Sequence, residues 1–230
     1  MGNISLFFSL GKKFFLKYYK SYFLLYFKYF AICIVGVLLN VLIAISPLIL
    51  IITLPLAFWA MWKTFVVHFT IIPTCYDFIK KGGKRSFKEI FESIDTKNLL
   101  AFITYCCFIV FFLWLPQIIV GYISMNIKNA ALSFTIYSIA FLATILLSIP
   151  FYVLYLQAFY FKTDDESYFD VFKNCYKKFD SSLVITILAI IALSIVAGLL
   201  PPIINIVAMI ALALFNCSVV TFWYISKLGK

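Results

Sequence analysis

Charged residues are scarce in this chain. Asp, Glu, Lys and Arg make up 12% of its 230 residues, whereas water-soluble domains carry about 25%. Acidic residues number only nine, while hydrophobic residues reach 65% and the mean hydropathy is +1.07. This composition excludes a water-soluble domain.

The chain also lacks the short motifs that carry chemistry. It contains no HExxH zinc motif, no phosphate-binding loop and no nucleophile elbow, and its six cysteines form no CxxC pair. The acidic run at residues 164–166 lacks the spacing of an EF-hand loop and has no histidine beside it. We therefore expect a non-enzymatic protein without cofactor or metal, whose cysteines are small buried groups in a reducing compartment.

Long uncharged runs are what the chain does contain. Each of four runs is longer than the roughly 20 residues that cross about 30 Å of hydrocarbon. They cover residues 29–62, 98–127, 129–161 and 181–226. Prolines at position 47 and at positions 201 and 202 divide the first and last runs into hairpins, because proline interrupts a helix. The sequence predicts an all-α polytopic membrane protein that forms a single integral membrane domain over residues 1–230. Its six transmembrane helices are expected at about residues 21–45, 48–72, 98–119, 131–160, 181–200 and 203–225.

Short amphipathic segments accompany these spans. Residues 4–20 place Phe7, Phe14 and Tyr18 on one helical face and lysines on the other, which predicts an interfacial helix continuous with the first span. Two further segments, residues 80–97 (the first charged segment) and 160–183 (the second charged segment), each combine a capping serine with an apolar stripe at helical spacing. An amphipathic segment, a span and a proline turn occur three times, at residues 5–47, 86–119 and 167–204, and the last two units align better than the first. This period is expected of a duplicated unit and equally of any membrane protein that is built of helical hairpins.

Basic residues indicate the orientation. With six spans, both termini and both charged segments fall on one side, together with every Lys and Arg except Lys128. The positive-inside rule makes that side cytoplasmic, so we expect a multi-pass protein of a bacterial cytoplasmic (inner) membrane with both termini in the cytoplasm. The net charge of +10 then favours binding to anionic phospholipids of the bilayer. No compact basic motif indicates nucleic-acid binding. The candidate headgroup ligands are Lys12, Lys13, Lys17, Lys80, Lys81, Lys84, Arg85, Lys177 and Lys178.

Polar residues within the apolar runs are mostly amides and hydroxyls. Asn40, Asn205 and Asn216 are candidates for lining a pathway, and they are equally suited to bonding between packed helices. The distances of Lys63 and His68 from Pro47 along the helix predict that both lie near the inner interface. Side chains at that depth reach the headgroups.

The two charged segments carry a family resemblance. The first reads Phe-Ile-Lys-Lys-Gly-Gly-Lys-Arg-Ser-Phe-Lys-Glu-Ile-Phe over residues 78–91, and the second combines an acidic loop with a short helix that has a basic end. Both resemble connectors of the YciC-like six-span bacterial inner-membrane proteins, which are related to the membrane domain of some glycerophosphodiester phosphodiesterases. The sequence departs from that group at Phe172-Lys173-Asn174-Cys175. The resemblance implies a membrane protein without a defined catalytic site.

Two functions fit these observations. The first is a non-enzymatic scaffold or an envelope or lipid-homeostasis component that binds anionic lipid and a membrane or cytoplasmic protein partner. The second is a small transporter or channel subunit with a pathway between the repeated hairpins. A polar cavity that reached the three asparagines would favour the second, and a closed apolar core would favour the first.

Overall fold

The computed structural model describes residues 2–41, 49–82, 86, 89 and 97–228, and within those ranges all regular structure is helical. The all-α prediction is therefore confirmed for the described residues. The chain divides into two compact units, one of residues 1–98 with 180–230 and the other of residues 99–179. In chain order the helices are α1 (Gly2–Val41), α2 (Ile49–Phe69), α3 (Ile71–Lys80), α4 (Lys97–Ile109), a π-helical turn (Val110–Trp114), α5 (Leu115–Met125), α6 (Ala130–Tyr160), α7 (Tyr168–Lys177), α8 (Ser181–Gly198) and α9 (Pro202–Lys227).

Within the described ranges, four helical stretches are long and apolar enough to cross a membrane. They are Thr53–Lys80, Ala130–Tyr160, Ser181–Gly198 and Val207–Lys227. Two shorter apolar helices, Leu100–Ile109 and Leu115–Met125, flank the π-helical turn. Much of the predicted first span lies outside the described side chains, so the number of spans stays a prediction.

Helix α1 contacts α2, α3 and α9 in the first unit. It has 40 residues and is therefore about 60 Å long, twice the thickness of the hydrocarbon core. Tyr18 contacts Phe78 on α3, with the ring centroids 6.4 Å apart, and Tyr29 contacts Trp59 on α2 at 5.9 Å. Later residues of α1 therefore contact earlier residues of the α2–α3 segment. Helix α1 is thus antiparallel to α2 and α3.

The predicted interfacial face of α1 packs on protein. Phe7, Phe14 and Tyr18 are all buried, and the Phe14 ring lies 6.0 Å from that of Phe78 on α3 and 5.9 Å from that of Phe222 on α9. The amphipathic pattern of residues 4–20 predicted an interfacial helix, but the partners of its apolar stripe are aromatic side chains of α3 and α9. This differs from the expectation that the stripe lies in the membrane interface.

A glycine brings α1 and α9 close together. A Cβ atom at Gly11 would lie 2.7 Å from Cγ2 of Val219 and 3.2 Å from Cε2 of Phe215. Because the nearer atom belongs to a short β-branched side chain, it cannot move away without shifting the helix. The absence of a side chain at Gly11 therefore sets the separation of these helices.

Burial is unevenly distributed along the helices of the first unit. The fully buried large side chains include Phe14, Tyr22, Phe222 and Trp223, all close to basic residues in the sequence. Most of the apolar side chains of α8 beyond Thr186 are exposed instead. A large exposed apolar surface of this kind marks a region that contacts lipid or another protein.

The second unit shows the same division within one helix. Residues 148–158 of α6 are almost entirely buried, whereas residues 130–147 are mostly exposed. Helix α7 runs antiparallel along the buried part, since the rings of Phe159 and Tyr168 are 6.1 Å apart and the Tyr176 hydroxyl donates to the Leu147 carbonyl at 2.8 Å. The helix of the second charged segment therefore folds back along α6.

Candidate functional site

Two basic segments that are distant in sequence meet at the end of α3. The Lys17 Nζ on α1 donates to the Gly82 carbonyl at 3.3 Å and lies 5.4 Å from the Tyr18 ring centroid and 5.6 Å from that of Phe78. Gly82 ends the helix with φ of +63°, a conformation that glycine adopts without strain. This arrangement brings Lys17 to the turn that follows Lys80 and Lys81, and we call these three residues the basic cluster.

The other candidate headgroup ligands are distributed as follows. Lys12 and Lys13 are exposed on α1, one to two turns before Lys17. In the second unit Lys177 is exposed in the last turn of α7, where its charge is favourable beside the helix carbonyls, and Lys178 is partly exposed. Lys84 and Arg85 lie outside the described residues.

Acidic side chains of the second charged segment cap helix α7. The Ser167 hydroxyl accepts from the Asp170 backbone N–H, and Asp170 Oδ2 accepts from the Ser167 N–H at 2.9 Å and from its hydroxyl at 2.8 Å. These hydrogen bonds from Ser167 lower the pKa of Asp170. Glu166 accepts from the Thr163 N–H and from Asn174 Nδ2, both at 3.1 Å. The predicted cap at Ser167 is confirmed.

Cys175 shows how little reactivity this segment offers. Its thiol is buried and donates to the Val171 carbonyl at 3.3 Å. Burial raises the pKa of the Cys175 thiol to about 12, so the thiol stays protonated at neutral pH and is a poor nucleophile. Among the residues that the structure describes, no three His, Cys, Asp or Glu side chains come together as a metal site.

Asp180 connects the start of α8 to the end of α9. Its carboxylate lies 2.6 Å from Lys227 Nζ and accepts from the Ser182 hydroxyl at 2.7 Å and the Leu183 N–H at 3.0 Å. The Trp223 Nε1 donates to the Ser182 hydroxyl at 2.9 Å. Burial by itself would raise the pKa of Asp180, but the Lys227 ammonium and the hydrogen bonds outweigh it and hold that pKa below its usual 3.8.

We expect Asp180→Asn to remove a stabilising charge while keeping a competent N-cap, since Asn caps helices as well as Asp does. Because folding lowers the pKa, the carboxylate stabilises the fold above about pH 4 and loses this effect as the pH falls through the folded pKa. Asp180→Asn should therefore cost about 0.5–1 kcal/mol at neutral pH and make unfolding less sensitive to acid. Denaturant unfolding of the purified protein at several pH values measures both effects. Asp165→Asn, in an exposed loop, is the matched control; an equal loss there would contradict a specific role for Asp180.

A buried polar ladder between α1 and α2–α3 was missed by the sequence reasoning. The Tyr22 hydroxyl donates to Thr74 Oγ1 at 3.1 Å and accepts from Thr70 Oγ1 at 3.2 Å, and the Tyr26 hydroxyl lies 3.1 Å from His68 Nδ1. The spacing of four residues between Tyr22 and Tyr26 on α1, and between Thr70 and Thr74 at the start of α3, was the available signal. The ladder fixes the register of two otherwise apolar helices.

The three pathway candidates have different surroundings. Asn205 Nδ2 donates to the Gly198 carbonyl at 3.3 Å and closes the turn between α8 and α9. Asn216 lies eleven residues further along α9, about 16 Å away on the same helical face, and its Oδ1 is buried with no hydrogen-bond partner among the described residues. The Asn40 side chain lies outside the described residues. A pathway through these groups stays a prediction.

The groups described above can bind anions through lysines and can hold helices together through hydrogen bonds. The strongest of them for recognition is the basic cluster, because its lysines are exposed at the end of an apolar helix. Comparison of the chain with family models, with curated proteins and with solved structures finds no match.

Proposed function

We propose that this chain is a six-span protein of a bacterial inner membrane with both termini in the cytoplasm, and that it is a non-enzymatic scaffold or lipid-homeostasis component. In this proposal the basic cluster binds anionic phospholipid headgroups at the cytoplasmic face. The proposal includes membership of the YciC-like group and a membrane or cytoplasmic protein partner. The observation that carries it is the bond from Lys17 to the Gly82 carbonyl, which gathers lysines of two segments at one place.

The position of the cluster supports lipid as its ligand. Lys80 and Lys81 directly end the apolar stretch Thr53–Lys80, and all three lysines of the cluster are exposed. A lysine beside an anionic bilayer surface contributes about 1 kcal/mol to binding. Three lysines together therefore favour an anionic headgroup over a zwitterionic one by roughly 100-fold.

A second candidate function is a small transporter or channel subunit. The buried Oδ1 of Asn216, on the same face of α9 as Asn205, is the observation that favours it. In a membrane such an amide binds a neighbouring helix or a passing polar solute. Uptake of solutes into vesicles that contain the purified chain, compared with an Asn216→Leu variant, distinguishes the two functions.

Replacing Lys17, Lys80 and Lys81 by Gln should weaken the binding of phosphatidylglycerol by roughly 100-fold. The measurement is the concentration of added phosphatidylglycerol that raises the thermal midpoint of the detergent-solubilised protein, with phosphatidylcholine as the neutral reference. A control variant with Lys128, Lys162 and Lys173 replaced by Gln has the same net charge. If that control loses as much affinity, binding depends on total charge and the cluster is not the site.

A further inference from the structure

A groove in the second unit lies between α5 and α6, beside the turn that joins them. Its volume is about 590 Å³, within the range of small-ligand sites. The groove begins immediately after the π-helical turn, a distortion often found near functional sites. Its lining includes Gln117, Gly121, Tyr122, Ser124, Ser133 and Tyr137.

Gln117 has unused hydrogen-bonding capacity in this groove. Its Nε2 and Oε1 atoms are both buried, and neither has a hydrogen-bond partner among the residues that the structure describes. The two serines of the lining are already engaged, since Ser124 donates to the Gly121 carbonyl at 2.9 Å and Ser133 donates to the Ser124 carbonyl at 2.8 Å. A buried amide without hydrogen-bond partners is unfavourable. A ligand that hydrogen-bonds to both polar atoms of the amide would therefore gain binding free energy.

The rest of the groove is suited to a lipid. Trp114, Ile118 and Tyr122 are all exposed apolar or aromatic side chains at or beside the groove, so an apolar ligand can reach it from the bilayer. No charged side chain belongs to the described lining, which disfavours a phosphate-bearing headgroup. A Cβ atom at Gly121 would make an ordinary contact with Cε2 of Tyr137 at 3.9 Å, so a larger side chain there would extend into the groove.

We propose that this groove binds a neutral glycerolipid that carries a free hydroxyl next to an ester, such as a diacylglycerol. The Gln117 amide N–H groups donate to the ester carbonyl, and the glycerol hydroxyl donates to the amide oxygen. The acyl chains continue along the exposed apolar surface of α5 and α6. This site is distinct from the basic cluster and does not depend on lipid binding there.

The test measures the thermal midpoint of the full chain in detergent as dioleoylglycerol is added. We expect a saturable rise for the wild type. Gln117→Leu should raise the ligand-free midpoint, because it removes an unpaired buried amide, and should require at least about tenfold more dioleoylglycerol for the same rise. Gly121→Leu, which fills the groove, should abolish the response. Thr135→Val on α6 is the control, since its hydroxyl bonds the Ala131 carbonyl and it does not line the groove.

Three results would overturn the proposal. A fall in the ligand-free midpoint of Gln117→Leu would show that the amide has a structural role. An equal response to dioleoylglycerol and to its acetylated form, which lacks the hydroxyl, would show that the amide oxygen is not used. A concentration-dependent dimer that Gln117→Leu abolishes would assign the groove to a second copy of the chain.

Discussion

Trp223→Ala should lower the free energy of unfolding by about 3–5 kcal/mol, the largest loss that we expect from a single truncation. Trp223 is 0% exposed in the first unit, and its indole N–H donates to the Ser182 hydroxyl at 2.9 Å. Lys227 lies over its ring at 5.7 Å from the centroid. Alanine would leave a large cavity and a lysine without its aromatic neighbour, and the Ser182 hydroxyl would lose the hydrogen bond that it accepts while still donating to Asp180.

Trp114→Ala provides the matched control for this truncation. Trp114 is 61% exposed, so its removal creates no comparable cavity. Denaturant unfolding in detergent, followed by circular dichroism, measures both variants. Equal losses for the two tryptophans would mean that the packing around Trp223 does not stabilise the chain more than the exposed surface does.

Leu188→Arg should oppose membrane insertion of α8 by about 2.5–3.5 kcal/mol. Leu188 is 59% exposed near the middle of an 18-residue apolar helix, so the guanidinium would face the hydrocarbon if this helix crosses the bilayer. The insertion of a reporter fusion with glycosylation sites on either side of α8 measures the inserted fraction. We expect the ratio of inserted to non-inserted chain to fall at least about tenfold.

Leu16→Arg is the control for that substitution. Leu16 is 61% exposed on α1, next to Lys17, where a further cation faces water or headgroups. The same change should therefore alter insertion little at this position. If Leu188→Arg inserts as well as Leu16→Arg, the exposed surface of α8 faces protein or water instead of lipid.

The composition and the uncharged runs were sufficient to predict a helical protein with several apolar helices, because the need to satisfy backbone hydrogen bonds in lipid leaves few alternatives. The residues around Ser167 were also sufficient to predict where α7 begins, since a capping box depends on residues only three positions apart. Val171 and Cys175 are buried as the helical stripe of α7 predicts.

The partners of apolar stripes could not be predicted in the same way. A stripe such as Phe7, Phe14 and Tyr18 is equally suited to lipid and to another helix, because both offer an apolar surface. Here the choice depends on Phe78 and Phe222, which are distant in sequence. The unpaired amide of Gln117 had no sequence signal either, since only the arrangement of α5 and α6 shows that its neighbours are already engaged.

The packing of α1 on α9 has a consequence for synthesis of the chain. Helix α1 contacts α9, and Gly11 of α1 meets Val219 only after the helices between them have been translated. At 5–20 residues per second, about 10–40 s pass between the translation of Phe14 and that of its partner Phe222 on α9. During that interval the second unit, residues 99–179, is already complete. The side of α1 that packs on α9 is therefore exposed in the nascent protein during this interval, where lipid or a chaperone can protect it.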